Sequence, residues 1–434
     1  MTHSGFMYNA MMASRSVLHR RKQYISLLAV CVVGVGISAF SIFLVSGMLR
    51  ALSDKARIYY GGDAVFTGGT DYYMDMENAG GIIRKLEPIF GKTVRLSPRY
   101  DFDGRHSKLY FEGSSVMQRT IKGVDFAREQ DLFADFNFVA GSAADCTDSS
   151  AIMVSRMVAE ELGLRCGDTL TFLTEDIDDF IVTAPLTVRA IFTDSSVFGM
   201  YTSYVDRSML LELYGRPDDW ANRICIRFAD KSVSERRLRK YHDALEDIFA
   251  MYPLVQDKEQ FYDALKAGFP EQTYALLQLD ANLQDVQFLA DAMECIALAI
   301  IVVLLTIIAA GIGSTYRVLV MKRINEIGTY RALGMSRAQL TVLFAGEVVF
   351  LTLFGCAGGF LFAALLSTVI HGIDFGFIPA FDMFLANSRL SPVFAPLPAL
   401  LLVVAVCVTT TLAVLFAIRK ALGTTPAQAL ATTE

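Results

Sequence analysis

Long apolar runs dominate the pattern along the chain. They cover Ile25 to Leu49, about Cys295 to Ile312, Leu340 to Ile370 and about Leu397 to Ile418, and only Glu347 interrupts the third. Roughly 20 apolar residues cross about 30 Å of hydrocarbon. The pattern therefore predicts a polytopic α-helical membrane protein with four transmembrane helices. Residues 50–291 hold no such run and are expected to form a large α+β domain inserted between helices 1 and 2. The first run is about 25 residues, long for a cleaved signal peptide, and is expected to remain as an anchor.

Within the insert the period shortens. Asp63–Thr67, Leu109–Phe111, Ala151–Ser155, Thr169–Leu173, Leu186–Phe192 and Ile224–Phe228 are β-type runs bounded by Gly, Asp or Ser. Asn78–Phe90, Arg156–Leu164, Arg207–Tyr214 and Ser232–Tyr252 read as helices, with Ser155 as an N-cap. Leu276, Leu277, Leu279, Leu283, Val286 and Leu289 recur at helical spacing. They predict that the second span (292–316) extends outward as a stalk from about residue 271; the alternative is a helix packed within the domain.

Composition supports the membrane reading. Apolar residues make up 53% of the chain and charged ones 19%, with a mean hydropathy of +0.40, against about 25% charged in soluble domains. The net charge of −6 conceals a split. Residues 1–24 and 419–434 are basic, and so is the loop 317–338, where Arg317, Lys322, Arg323, Arg331 and Arg337 face one acid, Glu326. Lys and Arg are retained in the cytoplasm. Both termini and this loop are therefore expected inside, and the acidic insert and the short loop 371–396 outside. Spans 3 and 4 take 339–370 and 397–418. An acidic outer domain does not favour nucleic acid, which binds Lys/Arg patches.

Few residues suggest chemistry. Phe90-Gly91-Lys92-Thr93 resembles the end of a P-loop, but Leu86 stands where the first Gly belongs. His3, His19, His106, His242 and His371 include no pair at metal spacing, and no catalytic or metal site is expected. Asp101-Phe102-Asp103-Gly104 reads as a hairpin turn. Cys146 and Cys166 lie at the two ends of a predicted strand and its returning helix, a candidate disulfide if that side is oxidising. Gly355 and Gly359 form a G-x-x-x-G step suited to close helix packing.

The cytoplasmic loop is the most informative segment. Ile324, Ile327, Tyr330 and Leu333/Gly334 fall on one helical face, while Glu326 and Arg331 lie elsewhere and are available to a partner. Gly334 is expected to stop this helix and Ser336 to cap the next span. The run EIGTYRALGMSRAQL (Glu326–Leu340) resembles the coupling-helix motif of the FtsX/MacB/LolC superfamily of ABC transporter permeases. ASRSVLHRRKQYISLLAVCVVGVG (Ala13–Gly36) resembles that family's basic approach to the first span. AIMVSRMVAEELGLRCGDTLTF (Ala151–Phe172) and PLTVRAIFTD (Pro185–Asp194) resemble its outer-domain signature, and RKALGTTPAQAL (Arg419–Leu430) its terminal segment.

The resemblance implies a non-catalytic transport subunit in a bacterial inner membrane, with its large domain periplasmic and MacB-like. Ile324, Glu326, Ile327, Gly328, Arg331, Leu333, Gly334 and Met335 would couple it to a separate cytoplasmic ABC ATPase dimer. ATP would act only through that partner, with no cofactor bound directly. A second permease copy or paralogue, membrane lipids, a lipoprotein substrate and a periplasmic carrier are the other implied partners. The outer domain's size is most similar to that of the LolC/LolE lipoprotein-releasing subunits, and the short acidic segment Thr174–Pro185 departs from LolC at the loop that recruits the carrier. The alternatives are a permease of the same superfamily that exports a drug, peptide or lipid, and a membrane-anchored regulator of a cell-wall enzyme.

Overall fold

The computed structural model describes residues 21–418, apart from positions 72, 177, 179, 195, 231–232 and 256. The basic residues Arg15 and Arg20, His3 and His19, and the segment Arg419–Leu430 lie outside the described residues.

In chain order, helix α1 (Arg21–Tyr60) is followed by β1 (Ala64–Gly69), α2 (Ala79–Phe90), β2 (Arg95–Asp103), β3 (Lys108–Phe111), β4 (Ser114–Met117), β5 (Thr120–Val124) and β6 (Phe138–Gly141). Next come β7 (Ala151–Ser155), α3 (Arg156–Leu162), β8 (Thr169–Glu175), β9 (Ile181–Phe192), β10 (Thr202–Asp206), α4 (Arg207–Leu213) and β11 (Arg223–Arg227). The chain continues through α5 (Glu235–Glu246), α6 (Lys258–Ala267), β12 (Thr273–Gln278), α7 (Gln284–Lys322), α8 (Ile324–Ala332), α9 (Arg337–His371) and α10 (Pro396–Ile418). One-turn helices join several of these elements.

Contacts divide the chain into two compact units. One holds residues 50–288 and 375–388; the other holds 1–49, 289–374 and 389–434. The first is built on a twelve-stranded sheet in the order β12-β1-β11-β2-β5-β10-β7-β9-β8-β3-β4, with β6 against β9. Pairing is antiparallel except for β5–β10 and β7–β9. Every residue of β7 is buried, as expected of a strand covered on both faces. Ser155 caps α3 by accepting from Val158 N, and α3 sends Val158 and Leu162 into the core beside Ile152, Val154 and Val188. Around β1, β11 and β12 a second core joins Phe66, Ile224, Ile226 and Leu276 to Ile83 and Leu86 of α2 and Leu238 of α5.

Two expectations change here. No helical stalk starts at 271, because Thr273–Gln278 is β12, paired with β1 over all six residues. Leu276 packs in the core of α2 and α5, while Ala275 and Leu277 pack with Phe261 and Leu265 of α6. Neighbouring leucines thus point to opposite faces, the period-2 signature of a strand. The long helix starts only at Gln284. Asp101-Phe102-Asp103 is not a turn. It is the end of β2, which pairs with β11 and β5 rather than with β3.

α1 extends beyond the predicted span to Tyr60, and its last turn lies among buried charges. Arg99 and Glu129 are both fully buried and make a forked pair, Nη2 to Oε2 at 2.6 Å and Nε to Oε1 at 3.0 Å. Ser97 donates to the same carboxylate at 2.5 Å. The guanidinium also donates to the carbonyls of Tyr59 (3.0 Å) and Ile58 (3.4 Å), which no further helical turn satisfies. Cation and helix carboxyl end attract each other. Beside this pair, Lys122 bonds Asp101 at 2.6 Å and stands 3.8 Å from the Tyr59 ring centroid. Burial would raise the Asp101 carboxyl, but Lys122, Arg223 and Arg99 outweigh it and hold it below the usual carboxylate range.

Residues 375–388 belong to the same unit as the sheet. Lys55 of α1 reaches Asp382 at 2.6 Å and Asp194 at 3.7 Å, and Asn137 donates to Asn387 at 2.6 Å. Burial raises the Asp194 carboxyl, partly offset by Lys55.

Removing one partner of a buried ion pair strands the other charge and costs about 3–5 kcal/mol. Arg99→Met should therefore lower thermal stability strongly in the detergent-solubilised chain, while Arg99→Met with Glu129→Leu should recover most of the loss. A depressed carboxyl stabilises the fold above its unfolded pKa, and that contribution disappears as pH falls through the acid range. Lys122→Met should accordingly flatten the acid limb of stability against pH below the usual carboxylate range.

Candidate functional site: the coupling segment and its anchor

Among the described residues, four helices are long and apolar enough to cross a membrane: Ile25–Tyr60, Val286–Lys322, Arg337–His371 and Pro396–Ile418. In the unit that holds most of their length, the third packs closely on the first. A Cβ added at Gly355 would lie 2.5 Å from Cys31 Cβ, and one at Gly359 would lie 2.8 Å from Val35 Cβ. On the first helix, a Cβ at Gly36 would meet Phe362 at 2.5 Å, and one at Gly34 would meet Ile308 of α7 at 2.6 Å. Glycine lets these backbones approach, as the G-x-x-x-G spacing implied. Thr352 and Thr410 hydrogen-bond at 3.2 Å between α9 and α10.

The predicted coupling residues lie on and just beyond α8, which leaves α7 at a single non-helical junction residue, Arg323. Ile327 and Gly328 are buried, with Ile327 in the apolar core beside Tyr316, Leu340 and Phe344. Leu333 does not share that face as its spacing suggested. It is 78% exposed, because the helix ends at Ala332 and the chain turns. Gly334 takes a positive φ of +91°, its N–H donating to Arg331 O and that of Met335 to Tyr330 O. This pair of bonds is a Schellman closure, which favours glycine in the left-handed position. Tyr330 and Met335 pack against the core, so the closure also fixes the apolar side of the turn. Ser336 caps α9 in a capping box with Gln339, as expected.

Glu326 is paired within the chain: it accepts from Arg323 Nε at 2.9 Å, with 36% of its side chain still exposed. The same guanidinium donates through Nη1 to Glu347 Oε2 at 2.8 Å, and Tyr316 Oη donates to that oxygen at 3.1 Å. The Arg323 guanidinium carbon lies 5.4 Å from the Phe344 ring centroid. Arg323 and Glu347 are both nearly inaccessible. The lone acid of the third apolar run thus has a cation and a hydroxyl, as an ionisable group among apolar neighbours requires. The expectations for this loop counted Arg323 only among its basic charges and gave it no place in the site. Its signals were present: an Arg three residues before Glu326, and one Glu inside an apolar run.

Cys146 and Cys166 are not bonded; both are free thiols. Burial, with Asp145 and Asp148 nearby, pushes the Cys146 thiol up to about 12, and burial pushes Cys225 equally high. Cys166 is exposed and less shifted. His242, Asp243 and Glu246 come together on α5, but two of the three are exposed and no second element contributes a ligand atom among the described residues. His242 Nε2 lies 2.8 Å from Tyr252 O. That contact ties α5 to the segment that follows it.

Residues 298–426 match the family described as FtsX-like permease C-terminal. The chain is also similar to an uncharacterized ABC transporter permease of Methanocaldococcus jannaschii, 26% identical over 115 residues, or 26% of this chain and 29% of the relative. The carboxyl-terminal part of the chain is thus similar to an FtsX-like permease domain, and α8 with its Arg323 anchor lies inside the matched residues. The chain matches less than a third of that relative's length.

Two outcomes follow from this geometry. Gly359→Leu should push the first and third helices apart and lower the melting temperature of the solubilised protein by several degrees, a larger loss than Leu361→Ala on an exposed position. At pH 7.5, maleimide should label Cys166 rapidly in the folded chain and leave Cys146 and Cys225 unlabelled until denaturant is added, since the thiolate is the reactive form.

Proposed function

We propose that this chain is the membrane permease subunit of an ATP-driven ABC transporter of the FtsX-like kind. The observation that carries the reading is a short helix within the matched segment, fastened on one side by Ile327 and Arg323 and ending in the exposed Leu333. A separate cytoplasmic ATPase pair would seat on that exposed end. Nucleotide-driven closure would displace α8, and α7, which follows the sheet unit in the chain and ends at Lys322, would carry the displacement. In this reading the sheet unit is periplasmic and works beside a second permease copy or a paralogue.

The cargo we propose is a lipoprotein, taken from the outer leaflet of the bacterial inner membrane. Extracting acyl chains costs about 0.8 kcal/mol per CH₂, so a multiply acylated protein needs tens of kcal/mol and hence an external energy source. The large inserted domain and the four apolar helices support a machine of this type.

Purification of the full chain from its native membrane should bring down an ABC ATPase, and Leu333→Glu should abolish that association. If no ATPase accompanies the unmodified chain, the permease reading fails. Photo-crosslinkers in the outer halves of the first and second spans should capture acylated proteins. Capture of a different cargo would leave the permease reading standing and overturn lipoprotein release.

A further inference from the structure

We infer that Arg323 is the positioning residue that transmits movement of α8 to the apolar helices, a role distinct from docking the ATPase. The inference rests on the permease reading and adds to it a residue that is almost wholly buried within this chain.

One planar guanidinium holds two carboxylates on two different helices. Nε engages Glu326 in the first turn of α8, and Nη1 engages Glu347 inside α9. Tyr316, near the end of α7, completes the set by donating to the same Glu347 oxygen. Arg323 itself is the single residue between α7 and α8. The three helices therefore meet at one side chain. A lysine offers a point charge rather than a fork and cannot reproduce both bonds with the same geometry.

Stability alone does not explain this arrangement. A buried ion pair is often no better than apolar residues of the same volume, and such pairs are best attested as fixing register or switching between states. Ile327, Leu340, Phe344 and Val348 belong to an apolar core on the same helices, and the Phe344 ring lies against the Arg323 guanidinium. With the pair in place, α8 cannot tilt without moving the Arg323 fork, and the fork cannot move without pulling on Glu347. A two-bond clamp of this kind passes displacement between helices, whereas apolar packing lets them slide.

The test compares Arg323→Gln, Arg323→Lys and the swapped pair Arg323→Glu with Glu347→Arg in the ATPase–permease complex reconstituted in lipid nanodiscs. The expected result is that Arg323→Gln keeps its ATPase bound, keeps KM for ATP within twofold, and loses at least tenfold in kcat. Arg323→Lys should fall between, and the swapped pair should recover at least a third of kcat. Leu333→Glu should behave oppositely, losing the ATPase itself. Unchanged kcat in Arg323→Gln would overturn the inference. So would loss of bound ATPase in both Arg323→Gln and the swapped pair, since the residue would then only shape the docking surface. If even the unmodified chain binds no ATPase, the permease reading fails and takes this inference with it.

Discussion

The end of the first long helix depends on one buried guanidinium. α1 finishes with carbonyls that the helix itself leaves short of partners (only Ile58 O receives a backbone N–H, from Gly61), and it finishes among sheet residues rather than in water. Arg99 donates to the carbonyls of Ile58 and Tyr59 and balances its own charge with Glu129. Gly61 follows immediately with a positive φ of +83°, and a side chain there would collide with Arg99 and Cys225. The entry of the chain into the sheet is therefore set by a charge that is costly to bury and is buried because several acceptors converge on it. β2, β11 and the turn carrying Glu129 are all held by the same requirement.

A second guanidinium does comparable work in the helical unit. Arg323 joins α7, α8 and α9 as Arg99 joins α1 to the sheet, and in both cases an acid with no apparent purpose in the sequence proves to be the counter-charge. The segment proposed to couple to an ATPase is thereby divided. Ile327 and Gly328 belong to the core, Glu326 is committed to Arg323, and Leu333 stands outside beyond the Schellman closure at Gly334. Nine consecutive residues, Glu326 to Gly334, thus have at least three physical roles.

Much of this was legible in the chain. The four apolar runs, the helix stop at Gly334, the caps at Ser155 and Ser336, and the packing glycines Gly355 and Gly359 follow from local rules of length, backbone freedom and hydrogen bonding. Strands whose buried positions are apolar, such as β7 and β8, also announced themselves. β2 did not, because one of its two buried faces carries Ser97, Arg99 and Asp101, and polar residues read as exposed until their partners are known, while only the other face sends Tyr100 into the apolar core. β12 was mistaken for helix because adjacent leucines fit either period; only the two cores on either side of the sheet decide between them.

The sequence by itself determined which segments are apolar enough to span, where helices start and stop, and which loop carries the FtsX-like motif. These properties depend on residues within a few positions of one another. The tertiary structure alone decided which charges are paired, which face of α8 is free, and that Cys146 and Cys166 remain thiols. Those outcomes depend on groups distant in the chain, whose meeting is settled by packing and by the cost of leaving a buried charge alone.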